Sequence, residues 1–117
     1  MTIAQLTEAL NEFSMERDWG QFHSPKNLAM ALSVEAAEIV ELFQWIKEED
    51  SYCLSTEKLA DLKDEIGDVM IYLTNLAHKF GIDPLEAASQ KLQKNKQKYP
   101  AALVKGKSAK YTEYGGI

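Results

Sequence analysis

The sequence predicts an all-α protein, a four-helix bundle that is completed by oligomerisation. Apolar residues recur at helical spacing along most of the chain, and no stretch shows the alternation of a strand. A serine, threonine or aspartate stands in front of each of four such segments, where helix N-caps are expected. The 117 residues are enough for one domain with a modest core.

The first two helices are predicted from their N-terminal caps. Thr2 and Gln5 form a capping-box pattern at the start of the first helix, which we expect to end near Trp19. Ser24 is followed by a proline, the typical pairing of an N-cap with a first-turn proline. The second helix should run from there to about Glu49, and a loop should follow it.

The third and fourth helices follow the same rules. Ser55 caps a third helix that should continue to Phe80, where the next residue, a glycine, ends it. Asp83, a proline and the capping-box residue Glu86 begin the fourth helix. Tyr99 precedes a proline, which disfavours the helical conformation, so the fourth helix should end there.

Charge and composition exclude several classes of protein. The net charge of -5 argues against a general nucleic-acid binder, which needs a basic excess. The apolar stretch 28–46 has the length of a membrane span, but its three central glutamates would be costly in lipid. The N-terminus lacks the pattern of a signal peptide, and the single Cys53, expected to be buried or half-buried, suits a reducing compartment. We therefore expect a cytoplasmic protein without membrane or nucleic-acid partners.

The predicted second helix is apolar on almost every side. One small domain cannot cover all sides of such a helix, whereas a second copy of the chain can. This pattern predicts a homodimer or homotetramer with the second and third helices in the interface. A monomer with this helix at its centre is the alternative.

Two acidic pairs lie on the predicted second and third helices. Glu35 and Glu38 are three residues apart and share one helical face, and Glu65 repeats this spacing with Asp68. Each pair has apolar neighbours, and two antiparallel helices would bring all four carboxylates together. They would repel unless a divalent cation neutralised them, and ligands that are all oxygen favour Mg²⁺ or Mn²⁺ over zinc or copper. The alternative is an ordinary solvated face on each helix.

The C-terminal part is basic in an otherwise acidic chain. No acidic residue occurs between Ala87 and Thr112, whereas seven of the thirteen Lys and Arg residues do. We interpret 1–100 as the helical domain and 101–117 as a basic tail that contributes to a substrate site. Lysines in this part would neutralise polyphosphate oxygens that the cation leaves exposed. The alternative is a solvated lysine face that aids solubility.

Aromatic residues are placed to hold a base. Trp45 follows Glu38 by seven residues, which predicts that it lies along the face of the acids. Tyr72 lies one helical turn after Asp68 in the same way, and Trp19 precedes the second helix. A base needs a flat apolar surface with a few polar groups at its edge. Core packing is the alternative for each of these aromatic side chains.

These residues resemble those of a known family. Glu-x-x-Glu, a spacer of 26 residues and Glu-x-x-Asp together are similar to the signature of the all-α nucleoside triphosphate pyrophosphohydrolases, the MazG-like superfamily. Further segments resemble its dCTP pyrophosphatase branch, and the resemblance extends from about Leu6 to Glu113. The matching segments are 17-RDWGQFHSPKNLAMAL-32, 38-EIVELFQW-45, 65-EIGDVMIYL-73, 95-NKQKYP-100 and 109-AKYTE-113.

The resemblance implies an enzyme that hydrolyses a (deoxy)nucleoside triphosphate, dCTP or a related deoxynucleotide, to a monophosphate and pyrophosphate, which is a house-cleaning activity on nucleotide pools. It also implies a bundle that dimerises, often into a tetramer, with sites formed between subunits. The implied ligands of Mg²⁺ are Glu35, Glu38, Glu65 and Asp68, and of these we expect Glu35 or Glu38 to activate the attacking water. The residues implied to bind substrate are Trp19, Trp45 and Tyr72 at the nucleoside and Lys91, Asn95, Lys110 and Tyr111 at the phosphates.

Two positions depart from the pattern of this branch. Leu10 stands where a histidine on the base side is expected, which puts strict selection of cytosine in doubt. Ala37 stands where glycine is usual, a change that we expect to be harmless. The alternative function is a non-catalytic helical module that binds a nucleotide or a protein, and for that module magnesium should change neither stability nor nucleotide affinity.

Overall fold

The computed structural model describes residues 1–108, which form helices joined by short connections, with no strand among them. The α-helices are α1 (Ile3–Glu16), α2 (Pro25–Phe43), α3 (Thr56–Lys79), α4 (Pro84–Lys98) and the single turn α5 (Ala101–Val104). Two 3-10 helices, Gly20–Phe22 and Glu48–Tyr52, lie in the connections. The predicted all-α class is confirmed. None of the helices in 1–108 combines the length and the hydropathy that a membrane crossing requires.

The predicted N-caps of the first three helices are present. The Thr2 hydroxyl accepts the backbone N–H of Gln5 at 3.1 Å, and the Gln5 side chain accepts the backbone N–H of Thr2 at 2.7 Å. The hydroxyls of Ser24 and Ser55 each accept the backbone N–H three residues further on, at 3.1 and 3.2 Å. Each bond satisfies an N–H group that has no partner within its own helix, so these helices begin where local sequence specifies.

The end of α2 differs from its prediction, because the helix stops at Phe43 and not near Glu49. In a longer helix the acidic run 48–50 would stand at the C-terminal end, where the helix dipole disfavours negative charge. In the structure the same three acids occupy the first turn of the 3-10 helix Glu48–Tyr52, where the dipole favours them. The segment predicted as a loop after the helix is therefore partly helical.

α3 is the helix against which both α1 and α2 pack, and α2 makes the larger contact. Leu28 on α2 and Thr74 on α3 are each only 1% exposed, and Ala77 is also buried. Leu28 thus packs near the end of α3, while Glu35 lies beside Glu65 nearer the start of α3. α2 and α3 therefore run antiparallel, as the short connection between them predicted.

Large apolar side chains on α2 remain exposed in the single chain. Met30, Val34 and Val40 are 57%, 56% and 61% exposed, respectively. On α3, Ile66 is 54% exposed. As the sequence predicted, the described part of one copy, residues 1–108, does not cover every side of α2.

Two smaller features complete the description. Cys53 is free and exposed, so the expectation of a buried or half-buried thiol was wrong. It directly follows the 3-10 helix Glu48–Tyr52, in the connection that the early end of α2 leaves at the surface. Residues Met1–Asp83 form one compact unit, and a second unit that contains α4 and α5 begins at Pro84.

Candidate active site

Three carboxylates from α2 and α3 form a cluster. One oxygen each from Glu35, Glu38 and Glu65 lies within 4.8 Å of the other two, and all three residues are half-buried. The antiparallel packing of the two helices brings Glu65 to the pair on α2 despite the long separation in sequence. Asp68, the fourth predicted acid, lies outside this group of three but close enough for its charge to act on Glu35.

The crowding of these acids changes their protonation. A hydrogen bond with the Glu38 carboxyl, followed by burial, raises the pKa of Glu65 to about 7. Burial is also the largest cause that raises the pKa of Glu35, to which the neighbouring Glu38 carboxyl adds. A hydrogen bond with Glu65 acts in the opposite direction on Glu35. Without a cation, the cluster therefore retains a proton near neutral pH.

Two oxygens of the cluster lack hydrogen-bond partners. Glu35 Oε2 and Glu65 Oε2 are buried, and no group in residues 1–108 hydrogen-bonds either atom. Buried carboxylate oxygens normally have a partner, because stripping water from them is costly. A hard divalent cation would satisfy both atoms, and the oxygen-only ligand set suits Mg²⁺ or Mn²⁺. The residues present therefore fit such an ion.

A pocket of about 390 Å³ lies beside the cluster, bounded by α1, α3 and the connection after α1. Phe13 meets Trp19 edge to face, with ring centroids 5.5 Å apart, and Trp19 meets the His23 ring at 6.4 Å. Tyr72 lines the same pocket, and so does Asp68, which links it to the acidic face of α3. The arrangement is a largely apolar, aromatic-walled pocket with the Asp68 carboxylate in its lining, and such a pocket suits a ligand with a flat apolar part and a charged end.

The position of Trp19 is set by how α1 ends. Asp18 adopts a left-handed conformation with φ of 52°, which reverses the chain after the last helical turn. The Trp19 N–H then donates to the Ser14 carbonyl at 3.0 Å. The Gln21 side chain donates to the Asp18 carbonyl at 3.0 Å and so holds the reversed segment. Trp19 is thereby turned back onto Phe13, which explains the aromatic wall of the pocket.

Trp45 does not join this pocket. It is 87% exposed and does not line the pocket that contains Trp19 and Tyr72. The prediction extended helical periodicity seven residues beyond Glu38, but α2 ends at Phe43, so that spacing no longer fixes the direction of Trp45. In the described part of a single copy, the structure brings together two of the three predicted nucleoside residues.

The residues predicted at the phosphates lie in the C-terminal part. Lys91 is exposed and Asn95 is half-buried, and both belong to α4 in the second unit. Lys110 and Tyr111 lie outside the residues that the structure describes. The predicted roles of these four residues stay predictions.

The pocket also contains residues to which sequence analysis assigned no binding role. They are Ala9, Phe13, Ser14, His23, Ile71 and Asn75. Leu10 also lines the pocket, and it stands where the family resemblance expects a base-side histidine. Asn75 follows Tyr72 by three residues, the spacing used for the acids, so its position on the same face was readable. The position of Phe13 in the pocket was not readable, because Phe13 belongs to an apolar helical stripe of α1 that is typical of ordinary core packing.

Known proteins match the chain over most of its length. The profile of the MazG-like family matches residues 30–114, a range that includes both acidic pairs. Human dCTP pyrophosphatase 1 is 41% identical over 114 residues, which are 96% of this chain and 67% of that protein. The bovine dCTP pyrophosphatase 1 is 39% identical, over 96% of this chain and 68% of its own length. The crystal structure of a pyrophosphatase from Archaeoglobus fulgidus superposes with a TM-score of 0.78 at 39% identity, over 83% of this chain and 91% of that one.

Proposed function

The chain belongs to the MazG-like family, and from this we propose that it is a Mg²⁺-dependent nucleoside triphosphate pyrophosphohydrolase. Its substrate is dCTP or a related deoxynucleotide, and its products are the monophosphate and pyrophosphate. The observation that carries the proposal is a carboxylate cluster with unpartnered oxygens beside an aromatic pocket. The biological role is house-cleaning, the removal of unwanted triphosphates from the nucleotide pool.

In this proposal four acids hold the cation. The ligands are Glu35, Glu38, Glu65 and Asp68, and Mn²⁺ is the substitute for Mg²⁺ that this ligand set also accepts. When bound, the cation supplies positive charge to the α-phosphate and to the pyrophosphate that leaves. The support is the unpartnered oxygens of the cluster and the proton that it retains in the absence of metal.

The residues of the chain divide the remaining tasks. Glu35 or Glu38 orients the attacking water and accepts its proton, since a carboxylate within hydrogen-bond reach of that water can act as the general base. Trp19 and Tyr72 hold the nucleoside in the pocket and keep bulk water away from it. The phosphates are bound by Lys91 and by the following residues of α4 and of the basic tail 101–117, namely Asn95, Lys110 and Tyr111.

We also propose that the enzyme is a homodimer or homotetramer. The uncovered apolar side chains of α2, among them Val34 and Val40, support this assembly. In such an assembly the exposed Trp45 of one copy would lie at the substrate site of a second copy. Light scattering should therefore report a mass that is a multiple of the 13.2 kDa chain, and a mass equal to one chain would contradict the assembly.

The proposed activity is tested by incubating the chain with each deoxynucleoside triphosphate and Mg²⁺. We expect ³¹P spectra to show monophosphate and pyrophosphate, with dCTP or a related pyrimidine nucleotide consumed fastest. Chelation of the metal should abolish turnover. A diphosphate and orthophosphate as products, or no product with any triphosphate, would contradict the proposal.

The metal requirement can also be tested without substrate, by measuring how Mg²⁺ changes the stability of the chain. Mg²⁺ should raise the melting temperature of the chain, because it binds the folded cluster and not the unfolded chain. The increase should be larger at pH 8 than at pH 6. In the metal-free protein the pKa of Glu65 is raised to about 7. Below this pH a bound proton competes with the cation. Above it the Glu65 carboxylate is charged and repels its acidic neighbours, which destabilises the metal-free fold and leaves more stability for the cation to restore. A non-catalytic module should show no such increase.

A further inference from the structure

Three polar side chains form one side of the aromatic pocket. Ser14, His23 and Asn75 line this pocket and also line a neighbouring cleft of about 480 Å³. None of the four predicted metal ligands lines that cleft. The three polar residues therefore form the boundary between pocket and cleft. Asp68 lines the pocket but not the cleft.

The spacing along α3 gives the pocket a direction. Asp68 and Asn75 both line it and are seven residues apart on the same helix. At a rise of about 1.5 Å per residue they are separated by roughly 10 Å along the helix axis. This is the length scale of one nucleotide from its 5′-phosphate to the edge of its base. With the phosphate at the Asp68 end, the polar edge of the base faces Asn75.

The Asn75 side chain is free to bind a ligand. It is half-buried, and no group in the described residues hydrogen-bonds its carboxamide. The other two asparagines of the same unit are engaged, because Asn11 contacts His78 Nε2 at 3.3 Å and Asn27 donates to the Phe22 carbonyl at 3.0 Å. Because Asn75 lines the pocket and its carboxamide is not engaged by another described residue, the side chain is available to hydrogen-bond a ligand in the pocket.

The chemistry of the lining points to the same residue. Leu10, Phe13 and Ile71 are apolar and offer a base only their surfaces. Among the described residues that line the pocket, Asn75 contributes the one carboxamide, and a carboxamide presents a donor and an acceptor side by side. Cytosine presents the complementary pair at N3 and the 4-amino group, so two hydrogen bonds can form at once.

We propose that the Asn75 carboxamide hydrogen-bonds the edge of a pyrimidine base, with Ser14 and His23 beside it, and so determines which base the pocket accepts. This inference rests on the proposed function, since the phosphate end is placed by the carboxylate cluster. Asn75 is a specificity-determining residue and takes no part in bond cleavage.

The test compares two ligands that differ only at the base edge. Calorimetry measures binding of dCMP and of the same monophosphate with the 4-amino group removed from its base. The unmodified chain should bind dCMP at least about fivefold more tightly than this analogue, because the analogue has lost one of the two hydrogen bonds to Asn75. Asn75→Leu should bind both ligands with affinities that agree within twofold. Asn75→Asp, which keeps the shape but loses the donor, should also weaken dCMP binding.

Asn11→Leu is the matched control, because Asn11 lines the neighbouring cleft without lining the pocket. It should retain the preference for dCMP, and melting curves establish that each variant is folded. If the unmodified chain hydrolyses dCTP but Asn75→Leu still prefers dCMP to the analogue, the inference is overturned and the proposed function stands. A chain that hydrolyses no triphosphate and binds neither ligand would overturn the proposed function itself.

Discussion

Glu38→Gln is expected to lower kcat/KM for the preferred triphosphate by about 10³-fold, which corresponds to about 4 kcal/mol of transition-state stabilisation. Glu38 lies within the three-carboxylate cluster, and its carboxyl group is the largest cause of the raised pKa of Glu65. Glutamine has the same shape but carries no charge, so it weakens cation binding and cannot accept a proton from water. Steady-state turnover with saturating Mg²⁺ measures the loss.

Glu41→Gln is the matched control for this substitution. Glu41 lies three residues further along α2, is exposed and does not belong to the cluster. The same chemical change there should leave turnover within twofold of the unmodified chain. The stabilisation by Mg²⁺ should shrink in Glu38→Gln and persist in Glu41→Gln. Near-parental turnover in Glu38→Gln would show that the cluster does not perform the chemistry.

The starts of the helices could be predicted because their determinants are local. Thr2, Ser24 and Ser55 each cap a helix by accepting an N–H only three residues away. Such a bond forms within one turn and needs no knowledge of the rest of the fold. The meeting of Glu35 with Glu65 could be anticipated as well, because a short connection favours antiparallel packing of α2 and α3.

The end of α2 could not be predicted from periodicity alone. Residues 44–49 are compatible with a helix, and the outcome depends on whether the acids 48–50 end one helix or begin the next. The dipole of the following 3-10 helix favours the second arrangement. The position of Trp45 outside the pocket of its own copy follows directly, since the position of a side chain on a helical face can be inferred only within the helix.

The aromatic pocket depends on tertiary packing. Leu10 and Phe13 form an apolar stripe, and nothing local states whether such a stripe faces a core or a ligand. His23 lines the pocket in the segment that follows the chain reversal at Asp18, a tertiary feature that periodicity does not predict. Asn75 was readable as a neighbour of Tyr72, but its lack of a hydrogen-bond partner is a property of the folded unit.

Leu28→Ala is expected to lower the free energy of unfolding by about 3 kcal/mol, the typical cost of removing a fully buried leucine side chain. Leu28 is 1% exposed and, with Thr74, is one of the two most completely buried side chains among residues 1–108. It fixes the start of α2 against the end of α3, and the cluster depends on the register of these two helices. Urea denaturation at fixed protein concentration measures the change, because an oligomer is also stabilised by mass action.

Thr74→Val tests the same core with the opposite expected sign. The Thr74 hydroxyl is buried and has no hydrogen-bond partner among residues 1–108. Burying an unpaired hydroxyl costs about 1–3 kcal/mol, and valine replaces it with a methyl group in nearly the same shape. Thr74→Val should therefore be as stable as the unmodified chain or more stable. If Leu28→Ala unfolded at the parental urea concentration, or if Thr74→Val were as damaging as Leu28→Ala, the contact between α2 and α3 would not be the core that supports the carboxylates.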